Sequence, residues 1–187
     1  MFFLPMAHQV LLAAVALTAA VYDARFRRIP NWLTLSGVAV GVALNSFLNL
    51  RGEVWYAGFT WLTALAGMAL AFAIYFPLYL VRGMGAGDVK LMASIGALTG
   101  PVNWLGIFVL SNVVGGLVAV VLLLARGRAR KTFYNLAYLL NELLHFRPPY
   151  LRREELDVKS PKAMTLPHGV AIAIGCAVFL AALAWPK

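Results

Sequence analysis

The feature that most restricts this chain is the apolar run from Leu91 to Ala125, 35 residues without one charged side chain. A helix crosses the roughly 30 Å hydrocarbon layer of a bilayer in about 20 residues, so this run is too long for a single span. Thr99-Gly100-Pro101-Val102-Asn103 interrupts it with the residue types of a turn. The sequence therefore predicts a short helix ending near Thr99 and another from Asn103 to Ala125.

Four further apolar runs accompany it: Leu4–Tyr22, Trp32–Leu50, Ala57–Val81 and Leu166–Trp185. Of the 187 residues, 62% are hydrophobic and 12% charged. A soluble domain is about 45–50% apolar and about 25% charged, because it must cover its surface with polar groups. This composition excludes a soluble globular protein and a disordered chain. Continuous rather than alternating apolar runs argue against a membrane β-barrel. The expected fold is all-α, a polytopic membrane protein with six transmembrane helices, forming a single membrane-embedded domain over residues 1–187.

The net charge of +9 would point to nucleic acid in a soluble protein. Here its distribution explains it. Fourteen of the 16 basic residues fall in three segments: Arg25, Arg27 and Arg28; Arg82 and Lys90; and nine positions between Arg126 and Lys162. These segments alternate with the predicted helices so that all three face one side, which the excess of Lys and Arg marks as cytoplasmic. Both termini then face outward, and no nucleic-acid partner is needed. The third segment also suits the attraction of anionic lipid headgroups. Within it, Leu136, Leu139, Leu140, Leu143 and Leu144 recur at helical spacing over residues 133–144. This predicts an amphipathic helix between helices five and six, lying on the membrane surface or docking a partner.

Seven residues are acidic. Glu53, Glu142, Glu154, Glu155 and Asp157 fall in predicted loops and read as solvated charges. Asp23 and Asp88 lie at the ends of apolar helices. Asp23 fits an ion pair with Arg25, Arg27 or Arg28, or a functional carboxylate. Asp88 ends Gly83-Met84-Gly85-Ala86-Gly87-Asp88. It fits a helix N-cap after a flexible turn. However, the following helix to Thr99 is about 20 Å long, short of the roughly 30 Å core. The glycine segment must then dip below the membrane surface, where irregular backbone is tolerated only inside protein or along a wet cavity. Bare glycines there admit the close approach of a second backbone, such as an extended substrate.

The predicted topology puts both aspartates on one face at similar depth. Two carboxylates sharing a wet cavity are what an aspartic protease needs. Like charges close together share one proton. One carboxylate then activates water while the other protonates or polarises the scissile carbonyl.

Asp23-Ala24-Arg25-Phe26-Arg27-Arg28-Ile29-Pro30-Asn31 resembles the first-aspartate motif of the type IV prepilin peptidases. Gly85-Ala86-Gly87-Asp88-Val89-Lys90 resembles their second motif, the GxGD signature of intramembrane aspartic proteases. The resemblance implies that Asp23 and Asp88 are the catalytic pair. It also implies cleavage of a basic leader from a membrane-inserted prepilin at the cytoplasmic face of a bacterial inner membrane, typically after glycine. Longer members carry an N-terminal extension with paired CxxC motifs and an N-methyltransferase activity. This chain has a single cysteine, Cys176, and resembles instead the small protease-only class of Flp-type, tight-adherence pili. No cofactor or metal is implied.

Gly85 and Gly87 are candidates for substrate contact. Arg25 is a candidate for tuning Asp23. Lys90 fits either a snorkel to the interface or a partner for a carboxylate. Asn31 after Pro30 suits an N-cap of the second helix. His168, opening the last helix, fits a structural role or a contact with the site. His8 lies at the far end of helix one, and Cys176 suits packing. Gly37 with Gly41, and Gly115-Gly116, suit close helix contacts. The competing readings are a small ion-coupled transporter, which also uses buried carboxylates and glycine-broken helices, and a non-catalytic pilus-assembly subunit.

Overall fold

The computed structural model describes residues 3–50, 58–125, 127, 134, 138 and 168–185, with the side chains of 48–50 excepted. Among them the chain is all-helical: α1 (Met6–Phe26), α2 (Asn31–Leu50), α3 (Trp61–Leu80), α4 (Ala86–Ala125) and α5 (His168–Ala184). Three of these, α1, α3 and α4, are long and apolar enough to cross a membrane, and α5 is a shorter apolar helix. The amphipathic helix expected over 133–144 lies, apart from Tyr134 and Tyr138, outside the described residues, as does the loop that carries most of the basic charge.

α4 is two helices in one. Its backbone leaves helical geometry at Gly100, with φ 72° and ψ 170°, followed by Pro101. Only glycine occupies that region without strain, and Pro101 has no amide to continue the ladder. This is the position where the sequence places the turn. The two halves fold back on each other. The indole Nε1 of Trp104 donates to the carbonyl of Met92 at 3.0 Å. Twelve residues along a straight helix would separate them by about 18 Å.

The first half of α4 is the centre of the molecule, and every residue from Leu91 to Gly100 is buried. A helix with no polar face must be covered on all sides, and α2, α3 and the second half of α4 pack against it. Glycines let backbones meet there. A Cβ on Gly67 of α3 would collide with the carbonyl of Gly96, and one on Gly96 would collide with that of Gly67. Gly37 and Gly41 of α2, the expected GxxxG pair, sit against Ser94 and Ala97 of α4. In α5, Gly175 accommodates Ser111. Of the expected pair in the second half of α4, Gly115 has Ala171 3.6 Å from an ideal Cβ, while Gly116 has no neighbour within 4 Å among the described residues. Tyr75, Trp104 and Phe108 fill the space between α3 and the hairpin, with the Trp104 and Phe108 rings stacked at 5.2 Å.

Helix ends are closed locally. α3 begins with a capping box in which the Thr60 hydroxyl accepts from the Thr63 amide at 3.1 Å and the Thr63 hydroxyl accepts from the Thr60 amide at 2.8 Å. It ends with Arg82 at φ 56° and the Gly83 amide donating to Leu78 at 2.9 Å, which satisfies a last-turn carbonyl.

Candidate active site

The two aspartates come from opposite helix ends. Asp23 lies in the last turn of α1. The helix closes at Arg27, whose φ is 53° and whose amide donates to the Asp23 carbonyl at 2.9 Å. The cap turns the chain sharply towards Pro30 and α2. Asp88 lies in the first turn of α4. The Gly85 carbonyl accepts from the amides of Asp88 at 3.2 Å and Val89 at 3.5 Å, so Gly85 occupies the cap position. Asp88 is therefore not the N-cap. It sits three residues in, and its carboxylate reaches back to the Gly85 amide. An ideal Cβ on Gly85 would lie 3.2 Å from Asp88 Oδ2, so the bare glycine leaves room for this return.

Asp23 is buried, with 8% of its surface exposed. Its Oδ2 accepts a 2.8 Å hydrogen bond from the backbone amide of Gly169. Gly169 is the second residue of α5, and an amide in the first helical turn has no partner within its own helix. Asp23 supplies that partner across 146 positions of sequence. The fit is close: a Cβ on Gly169 would stand 3.0 Å from Asp23 Cβ and 3.1 Å from its Oδ2. His168 precedes it, and Asp88 lies within electrostatic range of both Asp23 and His168. The start of α4 and the start of α5 thus converge on the end of α1.

The two motifs are joined again at the surface. Lys90 Nζ donates to Asn31 Oδ1 at 2.9 Å, tying the start of α4 to the start of α2. Lys90 had two readings, and its ammonium here donates to a side-chain amide oxygen. Asn31 differs from its expected role as N-cap. It is the first residue of α2, the Pro30 carbonyl accepts from the Leu33 amide, and the Asn31 side-chain oxygen is taken by Lys90. Ile29 packs against Gly87, its Cβ 3.2 Å from where a glycine side chain would begin. The bare faces of Gly85 and Gly87 are thus occupied from within the chain, by Asp88 and Ile29. Arg25 is exposed in the last turn of α1.

Sequence reasoning passed over Gly169. A glycine just inside the start of an apolar helix, on the same membrane side as both aspartates, was the available signal. Among the described residues, no group of three His, Cys, Asp or Glu side chains is placed to hold a metal. An apolar cavity of about 860 Å³ lies at the opposite end, lined by Leu4, Gln9, Leu105, Phe179 and Trp185 among others. Gln9 is 14 residues from Asp23 on α1, about 21 Å away, so this cavity does not hold the chemistry.

Apolar helices packed around a buried short helix, with Asp23 and Asp88 at one end, define a helical membrane protein. The model of the type IV leader peptidase family matches residues 10–120, which carry both aspartates, and the chain belongs to that family. It is also similar to a prepilin leader peptidase/N-methyltransferase of Neisseria gonorrhoeae, 32% identical over 131 residues. The match covers 64% of this chain and 41% of the relative, so the chain spans about two-fifths of the curated relative's length. No solved structure matches it. Neither the transporter reading nor the non-catalytic reading is favoured by the family match.

Proposed function

We propose that this protein is an aspartic endopeptidase that removes the basic leader from prepilins, with Asp23 and Asp88 as its catalytic pair. The observation that carries the reading is the convergence of the two family-motif carboxylates from α1 and α4, with Asp88 in the field of Asp23. One carboxylate takes a proton from water, whose oxygen attacks the scissile carbonyl carbon. The other gives its proton to the carbonyl oxygen, and the peptide nitrogen leaves with a proton as the bond breaks.

The substrate in this reading is a Flp-type prepilin, itself an apolar membrane helix behind a basic leader. Asp23 and Asp88 lie at the helix ends adjoining Arg25, Arg27, Arg28, Arg82 and Lys90. By the positive-inside rule this end faces the cytoplasm of a bacterial inner membrane. The break at Gly100 supports counting α4 as two spans, giving six with α1, α2, α3 and α5, in a single membrane-embedded unit with both termini outside. Surface charge of the 126–163 loop serves anionic lipid rather than the leader, since like charges repel.

The test is co-expression with a Flp-type prepilin and an immunoblot of pilin size. The wild-type chain yields the shorter form. Asp23→Asn and Asp88→Asn each leave the precursor intact, and normal processing by either variant would refute the two-aspartate mechanism. Cysteines placed in the 126–163 loop label with an impermeant maleimide only after the inner membrane is opened.

A further inference from the structure

At the end of the molecule opposite the aspartates, three helices are tied by one polar chain. His8 of α1 is fully buried, and its Nε2 lies 3.3 Å from Asn45 Oδ1 on α2. Asn45 is also buried, and its Nδ2 donates to the carbonyls of Ala97 at 3.0 Å and Leu98 at 3.5 Å in α4, and to Gly41 of its own helix at 2.8 Å. The roles follow from the atoms. Carbonyls accept only, so Asn45 must turn its amide nitrogen towards α4 and its oxygen towards His8. That oxygen also only accepts, so the His8 proton sits on Nε2. The orphaned atom this leaves is His8 Nδ1, a buried nitrogen without a partner among the described residues.

The chemistry of the contact explains why it is there. The first half of α4 ends at Gly100, and the last carbonyls of a helix have no intrahelical donor. In an apolar surround such groups must be satisfied by protein. Gly41 lets α2 come close enough to do so, since a Cβ there would stand 2.8 Å from the Ala97 carbonyl carbon.

The same helices carry the candidate catalytic groups at their other ends. α1 holds His8 and, 15 residues on, Asp23, about 22 Å away. The first half of α4 runs antiparallel, from Asp88 to the clamped carbonyls of Ala97 and Leu98. The clamp therefore joins the one helix bearing Asp23 to the one bearing Asp88. A helix is stiff along its axis, so holding one end fixes the height of the other. We propose that His8 and Asn45 are positioning residues that set the axial register of α1 against the first half of α4, and with it the approach of Asp23 to Asp88. The proposal rests on the peptidase reading for its kinetic consequence but not for its geometric one.

Two measurements on the full chain in detergent test it. The first uses a precursor peptide with a basic leader, a glycine and an apolar helix. Misplacing reacting groups by about 1 Å costs up to about 100-fold, so His8→Leu and Asn45→Leu lower kcat about 10- to 100-fold with KM within about twofold. His8→Gln, whose amide still donates to Asn45, recovers most of that loss. The second needs no activity. Asp23→Cys with Asp88→Cys, in a Cys176→Ser chain, is bridged by a short bis-maleimide, and adding His8→Leu or Asn45→Leu lowers the yield severalfold. His8→Leu leaves the Asn45 donors in place, so it keeps the comparison available if Asn45→Leu fails to fold. An unchanged bridging yield in a folded variant, or a His8→Gln as impaired as His8→Leu, overturns the proposal. Activity persisting in Asp23→Asn or Asp88→Asn would instead sink the peptidase reading and leave the bridging result standing.

Discussion

The backbone amide of Gly169 sits 2.8 Å from Oδ2 of Asp23, so the start of α5 holds a carboxylate at the end of α1. The contact satisfies a first-turn amide of α5 and fixes one rotamer of Asp23. It also leaves no room for a side chain at position 169, where a Cβ would stand 3.0 Å from Asp23 Cβ and 3.3 Å from its Cγ. Gly169→Ala should push Asp23 out of place and lower kcat about 10- to 100-fold with little change in KM. Steady-state kinetics on a precursor peptide checks this, and a variant with wild-type kcat would show that Asp23 tolerates displacement.

Lys90 and Asn31 are both exposed, and their 2.9 Å bond links the two motifs through solvent-facing groups. Exposed contacts of this kind contribute little, in the range of about 0.2–1 kcal/mol. Lys90→Met and Asn31→Ala should each cut the processing rate only severalfold, and the double variant should be no worse than the poorer single one. A double-mutant cycle reads the coupling, and strictly additive losses would mean the bond carries none of the effect.

Gly67 and Gly116 predict opposite outcomes for the same substitution. A Cβ on Gly67 meets the backbone of Gly96 and Gly100, which cannot swing aside, while one on Gly116 meets nothing within 4 Å among the described residues. Gly67→Ala should destabilise by about 1–3 kcal/mol through overpacking. Gly116→Ala should be neutral or add up to about 1 kcal/mol from the better helix former. Thermal unfolding in detergent separates the two, and equal melting temperatures would contradict the packing assigned to α3 and α4.

The hairpin in α4 rests on a backbone angle and an indole. Gly100→Ala forces a side chain into a region that only glycine occupies easily and should cost about 1–3 kcal/mol. Trp104→Phe keeps the ring stacked on Phe108 but leaves the Met92 carbonyl without that donor, at a cost of about 1–3 kcal/mol. Both appear as lowered melting temperatures. A Gly100→Ala chain as stable as wild type would mean the turn is not strained as described.

Some of this was legible from the residues and some was not. The break inside the Leu91–Ala125 run could be read because Gly100 and Pro101 are punctuation whose effect is local: one permits an angle, the other removes a donor. The two aspartate motifs could be read for the same reason, since each is a short string at a helix end. Asn31 misled because its neighbourhood in sequence suits a cap, while Lys90, 59 positions away, claims its oxygen. Asp88 had two readings by type. Aspartate suits a cap, yet the helix starts earlier because Gly85 can close it.

The sequence by itself determined that the chain enters a membrane, where the apolar helices among the described residues run and which two carboxylates carry the motifs. Apolar length, turn residues and charge placement act on the nearest few residues and need no fold to be interpreted. The tertiary structure decided which glycines touch backbone, that α5 reaches Asp23 through Gly169, and that His8 and Asn45 grip the far end of the helix bearing Asp88. Those contacts join residues up to 146 positions apart. They exist only once the hairpin at Gly100 buries the short helix and obliges its neighbours to satisfy its free carbonyls.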